Sequence, residues 1–124
     1  MKVFFSSRAR SFYYAFNGLW FVIRTQKNAW LHAMATVCVF LLAFWLRLGL
    51  QDWAILGLAI ASVWMAEFLN TALEAVVDLA SPQNHPLAKV GKDVGAAAVL
   101  IAAGSAAIIG LLILGPPLWR QLEH

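Results

Sequence analysis

Three apolar stretches, each long enough to cross a bilayer, occupy most of this chain and leave it one kind of environment to fold in. The first runs from Ala29 to about Leu48 and meets no formal charge before Arg47. The second starts near Trp53, stays apolar to Ala66 and continues as a helical pattern to about Ala80. The third runs through Gly95–Leu114 and is rich in Ala, Ile and Leu. A helix needs roughly 20 apolar residues to span a hydrocarbon core about 30 Å thick. The chain has 124 residues, 62% hydrophobic and 12% charged. Soluble domains carry about 45–50% apolar and about 25% charged residues, and a short chain cannot bury such an excess in a core of its own.

These spans predict an all-α membrane protein with three transmembrane helices at 29–48, 52–80 and 93–114, forming a single domain over 1–124. Gly115-Pro116-Pro117 is expected to stop the third helix, since proline lacks the N–H that continues one. Gly49 to Asp52 reads as a tight connection and Ser81 to Pro86 as the main loop. Residues 6–26 form a fourth element. Phe12, Phe16, Leu19, Trp20 and Ile23 recur at helical spacing against Arg8, Arg10, Asn17, Arg24 and Gln26, the pattern of an amphipathic helix lying in an interface.

Seven of the nine Lys and Arg precede the first span or follow the second. The positive-inside rule then puts the N-terminus and the 81–92 loop in the cytoplasm and the C-terminus outside. Trp30, Trp45, Trp53 and Trp119 fall near span ends, where an aromatic belt is expected. The lone Cys38 reads as a small apolar packing residue, with no disulfide possible within one chain. No Lys/Arg-rich block suggests nucleic acid. Arg8 and Arg10 lead into an aromatic amphipathic stretch, which does not read as a secretory signal.

The second span carries Glu67, Asn70, Glu74 and Asp78, at spacings of three, four and four. At 3.6 residues per turn they share one stripe, read as a site gathered at one membrane depth. An acidic side chain at mid-membrane costs about 2.5–3.5 kcal/mol on insertion scales, so these groups must face helices, cations or water. The second polar cluster is Lys89-Val-Gly91-Lys92-Asp93-Val-Gly95 at the start of the third span. Its glycines admit a close helix neighbour. Lys92 suits an anionic phosphate, Lys89 reads as flanking charge, and Asp93 is expected to pair with Lys92 or help hold a cation. His32 reads as a polar interfacial residue, and His85, in the loop beside the lysines, as a candidate nucleotide contact. No Walker A motif, kinase glycine loop, nucleophile elbow or zinc spacing occurs.

The run Glu67-Phe-Leu-Asn70-Thr-Ala-Leu-Glu74-Ala-Val-Val-Asp78, followed by Lys89-Val-Gly91-Lys92-Asp93-Val-Gly95, closely resembles the signature of the bacterial integral-membrane diacylglycerol and undecaprenol kinases. The resemblance covers nearly the whole chain. It implies a homotrimeric bundle in the inner membrane, with composite sites that phosphorylate a lipid hydroxyl using ATP and Mg²⁺. It also implies roles: Glu67 as the base, with Asn70 and Lys92 in the catalytic set; Glu74 on the metal; Tyr14, Asp78, His85, Lys92 and Asp93 around the nucleotide; Glu67 and Ala96 toward the lipid. The family's second metal-binding Glu aligns with Gln26, which offers a carbonyl oxygen but no charge. Gln83 departs in a similar way. Asn28-Ala-Trp-Leu-His32 and His85-Pro-Leu-Ala-Lys89 look more like the undecaprenol-preferring members, though both lipids stay open. Two other readings compete: a degenerate, non-catalytic membrane assembly protein, supported by Gln26, and an ion conduit. The conduit is disfavoured because only Ser62, besides the Trp indoles, interrupts Trp53–Ala66.

Overall fold

A computed structural model describes the backbone of residues 2–123 and the side chains from residue 8 onward. Four helices follow one another: α1 (Lys2–Thr25), α2 (Lys27–Trp45), α3 (Leu50–Ala80) and α4 (Pro86–Leu122). At 1.5 Å per residue, the 19 residues of α2 reach about 28 Å, close to one hydrocarbon thickness. The 31 residues of α3 and 37 of α4 reach about 46 Å and about 55 Å, so both extend past it unless strongly tilted. These three are the helices long and apolar enough to cross a membrane.

α3 and α4 form the main packed pair. A Cβ at Gly91 would touch Val77, and one at Gly95 would meet Asn70 and Leu73. Numbers rise along one helix as they fall along the other, so the pair is antiparallel, as a short connection requires. α2 lies against α3, and α1 touches α2 and α3 lightly. The small apolar core sits at the α2–α3 turn, where Ala43, Leu56 and Leu114 pack with Trp53 and Leu46 around them. Phe40 closes on Trp53 at 5.6 Å between ring centroids. Most other large apolar side chains face outward, among them Leu58, Leu100, Ile101 and Leu111. That distribution suits a lipid solvent, which a water-exposed surface could not match over such an area.

Two boundaries differ from those expected. The first span ends at Trp45, because Arg47 turns left-handed (φ 53°). Leu48 N–H then bonds to Ala43 O at 3.2 Å and Arg47 N–H to Phe44 O at 3.1 Å. This is a Schellman closure with arginine where glycine is usual. The turn therefore falls at 46–49, and α3 starts at Leu50. Gly115-Pro116-Pro117 does not stop the third span: α4 passes through both prolines to Leu122. Proline's fixed φ near −65° is itself helical, so the cost is the lost donors to Leu112 and Ile113 and local crowding, not a break. Membrane helices tolerate this where neighbours compensate.

The α1–α2 break is narrow. Gln26 adopts extended backbone (φ −95°, ψ 117°) and gives no side-chain cap. α1 runs a few residues earlier than the periodicity gave and leaves Phe12, Phe16 and Trp20 exposed within the chain. Cys38 is exposed on α2, not packed.

Candidate functional site

Leu56, Ala59, Val63, Glu67 and Thr71 are buried on α3, one seam of the helix turned toward its neighbours. The seam is apolar for two turns and becomes polar at Glu67. The stripe Glu67, Asn70, Glu74, Asp78 starts at the same residue. Glu67 thus belongs to both, and it is 3% exposed. Counted from Leu50, it lies about 26 Å along α3, near the far edge of a ~30 Å hydrocarbon slab. Glu74 lies about 10 Å beyond Glu67 and Asp78 about 16 Å beyond it. The four groups therefore do not share one depth: they climb out of the membrane toward the 81–85 loop.

Each member of the stripe has its own surroundings. Glu67 Oε1 lies 3.2 Å from His32 Nε2 on α2, yet accepts no hydrogen bond there. Thr71, one turn on, donates to the Glu67 carbonyl at 2.9 Å, so the hydroxyl does not serve the carboxylate. Asn70 donates from Nδ2 to Glu74 Oε1 at 3.1 Å, while its own Oδ1 is buried and without a partner. Gly95 leaves the space that Oδ1 occupies; a Cβ there would overlap it. Asp78 is exposed and pairs with Lys92 at 2.5 Å across α3–α4. Among the described residues, two buried side-chain oxygens thus have no hydrogen-bond partner within the chain. Such groups are uncommon in folded chains.

The polar end is a pocket of about 480 Å³ where the loop meets α4, lined by Asp78, Gln83, His85, Lys89, Lys92 and Asp93 among others. It joins the end of α3, the loop and the first turns of α4. His85 caps α4: its Nδ1 accepts from Leu87 N–H at 3.1 Å, and Pro86 follows at the first helical position. Any nucleotide contact from His85 must therefore use Nε2. Asp93 pairs with Lys89 one turn before it, not with Lys92. The i, i+4 spacing favours that partner, and Lys92 is drawn instead across the helix pair to Asp78. On the other side of Glu67 lies a cavity of about 310 Å³ between α2, α3 and α4, lined by His32, Thr36, Val39, Ala59 and Trp64 among others. It is almost wholly apolar, and His32, which contacts Glu67, is among its few polar lining residues.

The remaining expected residues are more scattered. Tyr14 is exposed on α1, edge-on to Tyr13 at 5.7 Å, and does not line the polar pocket. Gln26 is half-buried at the α1–α2 break. Ala96 is exposed on α4 beside Gly95. Among the described residues, no three His, Cys, Asp or Glu side chains converge as a metal cage. Glu74 nonetheless offers a carboxylate at the polar end of the stripe. That suits Mg²⁺, which takes one or two carboxylates and completes its shell with water and phosphate oxygens. The His32–Glu67 contact is the one that spacing alone does not give. The two residues are 35 positions apart, and the only local signal was a histidine one turn before Thr36 on an apolar helix.

A three-span membrane helix bundle has a buried carboxylate on its second span and, beyond it, a polar pocket holding two lysines and two aspartates. The comparisons name the family: the chain belongs to the prokaryotic diacylglycerol kinases, whose family model matches residues 13–114. It is 42% identical over 109 residues to an undecaprenol kinase of Bacillus subtilis, covering 88% of this chain and 89% of that protein. It is 45% identical over 109 residues to a diacylglycerol kinase of Synechocystis, covering 87% of this chain and 62% of that longer protein. A diacylglycerol kinase of Escherichia coli K12 is 36% identical over 81 residues, 65% of this chain and 66% of its own length.

Proposed function

We propose that this chain is a lipid kinase that transfers the γ-phosphoryl group of ATP to the hydroxyl of a membrane lipid alcohol, undecaprenol ahead of diacylglycerol. The observation that carries the reading is Glu67, a buried carboxylate at the membrane edge and one turn from the Asn70–Glu74 pair. A lipid hydroxyl can reach that depth while its chain stays in hydrocarbon. Water-soluble substrates have no reason to meet a base there.

The steps follow from the residues. Glu67 accepts the hydroxyl proton as the hydroxyl oxygen bonds to the γ-phosphorus. The bond to the β,γ-bridging oxygen breaks, and ADP leaves with that electron pair. Phosphoryl transfer is mostly positioning and charge neutralisation. Lys92 supplies a cation at the polar end, exchanging Asp78 for phosphate oxygens. Asn70 holds Glu74 in place through Nδ2. Mg²⁺, when bound with the nucleotide, would neutralise phosphate charge beside Glu74, with Gln26 adding at most a neutral oxygen. Tyr14, His85 and Asp93 would border the nucleotide and Ala96 the lipid. The active form would be a homotrimer, with the N-terminus and 81–92 loop on the ATP side of the membrane and the chain acting as one domain.

The reading favours undecaprenol because the long match to the Bacillus subtilis protein covers most of both chains. The non-catalytic alternative rests on Gln26 alone. The test is transfer from labelled ATP to each lipid, supplied separately to purified protein in micelles. We expect product from one lipid and a loss of at least about 100-fold in Glu67→Gln, the scale of general-base catalysis. Glu74→Gln should lose activity in a way that added Mg²⁺ partly restores. No transfer to either lipid by folded protein at high Mg²⁺ would favour the non-catalytic reading.

A further inference from the structure

The contacts around Glu67 point to one more functional residue, and it lies on a different helix. His32 Nε2 reaches to 3.2 Å from Glu67 Oε1. The imidazole is held from two sides. Trp64, one turn before Glu67 on α3, meets the ring edge-on at 6.4 Å between centroids and 68° between planes. Its indole Nε1 then donates to Thr36 Oγ1 at 3.2 Å. Thr36, one turn after His32 on α2, donates that hydroxyl to the His32 carbonyl at 2.7 Å. Two residues of α2 and two of α3 therefore interlock, with the carboxylate at one corner. All of it is half-buried or buried, in a part of the chain otherwise lined with Ala, Leu and Val.

Here the distance is right and the bond is not made: Oε1 remains without a donor. A small turn of the imidazole brings Nε2–H onto the oxygen. Loose contacts of this kind in an empty site commonly tighten when substrate arrives.

We propose that His32 is a positioning residue for Glu67: its Nε2–H takes Oε1 and fixes the rotamer, leaving the other carboxylate oxygen to accept the proton of the lipid hydroxyl. The Trp64–Thr36 brace sets the ring's orientation, as a third group orients the partner of a catalytic base elsewhere. This rests on the reading of Glu67 as the base. It assigns His32 no contact with the nucleotide and no proton of its own to transfer.

The test uses two substitutions with opposite chemistry. His32→Phe keeps a ring against Trp64 and removes the donor; His32→Gln keeps an N–H near the place of Nε2 and removes the ring. Purified variants in micelles are compared by thermal unfolding and by kcat and KM for lipid and ATP. We expect His32→Phe to melt like the parent, keep both KM values and lose roughly 10- to 100-fold in kcat, the range a hydrogen bond to a charged group supplies. His32→Gln should recover most of that loss. In a Glu67→Gln background, His32→Phe should cost nothing further, because residues acting as a unit are not additive. Unchanged kcat in His32→Phe, or equal losses in Phe and Gln variants, would overturn the proposal while leaving Glu67 as the base. Full activity in Glu67→Gln would instead remove the reading beneath it.

Discussion

Adding one methyl group at Gly95 should separate activity from stability. The Cβ of Gly95→Ala would overlap Asn70 Oδ1 and come within 3.2 Å of Leu73 Cδ2. The nearest obstacle is the end of a side chain, so it can rotate away; Leu73 must give by a few tenths of an ångström. The Asn70–Glu74 hydrogen bond at 3.1 Å is then lost or bent. Its contribution, as a bond to a charged acceptor, is about 1.5–3 kcal/mol before solvent replaces it. Against this, Ala is favoured over Gly in a helix by about 0.8–1.0 kcal/mol, and Oδ1, unpaired in the parent, gains freedom to find water. The opposing terms leave net stability within about 1–2 kcal/mol of the parent. Activity has no such offset, because Glu74 loses the group that orients it. We expect a melting temperature close to the parent, with transfer to lipid reduced tenfold or more on the scale of that bond. Gly91→Ala is the control. Its Cβ would meet Val77 Cγ2 at 3.5 Å, ordinary van der Waals distance, so both stability and activity should hold. Melts in micelles and labelled-phosphate transfer measure the two quantities. Full activity in Gly95→Ala would refute the idea that the Asn70–Glu74 geometry matters to transfer, and a collapsed melt would make Gly95 a packing residue instead.

Two further outcomes follow from the polar end. Lys92→Met should raise the apparent KM for ATP roughly tenfold or more, as loss of a charge-assisted contact does, with the lipid KM unmoved; equal shifts in both would place Lys92 elsewhere than on phosphate. Gln26→Glu should raise activity at limiting Mg²⁺ by adding a charged ligand, and an unchanged Mg²⁺ titration would remove position 26 from metal binding.

The parts of this molecule legible in its sequence are those governed by one helix at a time. The three spans followed from apolar length, and the stripe from 3.6-residue spacing. Lys89–Asp93 was available from the same arithmetic, though Lys92 beside Asp93 hid it. What needed a second helix was not legible. The Asp78–Lys92 pair depends on the α3–α4 alignment, which Gly91 and Gly95 set by admitting Val77 and Asn70. The role of His32 depends on α2 packing against α3, and a single histidine near a span end carries no trace of that. The proline pair misled for a different reason. The cost of proline in a helix is an average over aqueous contexts, whereas α4 retains its helical backbone beyond them and closes on a Glu123 N–H to Trp119 O bond of 3.2 Å.

The layout along α3 also explains how one helix can bring together substrates that share no solvent. A lipid alcohol cannot leave the hydrocarbon far, and ATP cannot enter it. The stripe spans about 16 Å from Glu67 to Asp78, about three turns that start inside the slab and end in the polar pocket. Its inner end has Glu67, the proposed base; its outer end has Lys92, His85 and the loop. Asn70 and Glu74 stand between, hydrogen-bonded to each other and one or two turns from either end. A triphosphate seated at the pocket would therefore extend its γ-phosphate inward along the stripe, toward the base. Burying Glu67 would be costly in lipid anywhere deeper, and anywhere shallower the hydroxyl would have to leave its own solvent. The position of Glu67 near the end of the hydrocarbon stretch of α3 satisfies both demands, and the polar turn of the buried seam at that residue is where the sequence records it.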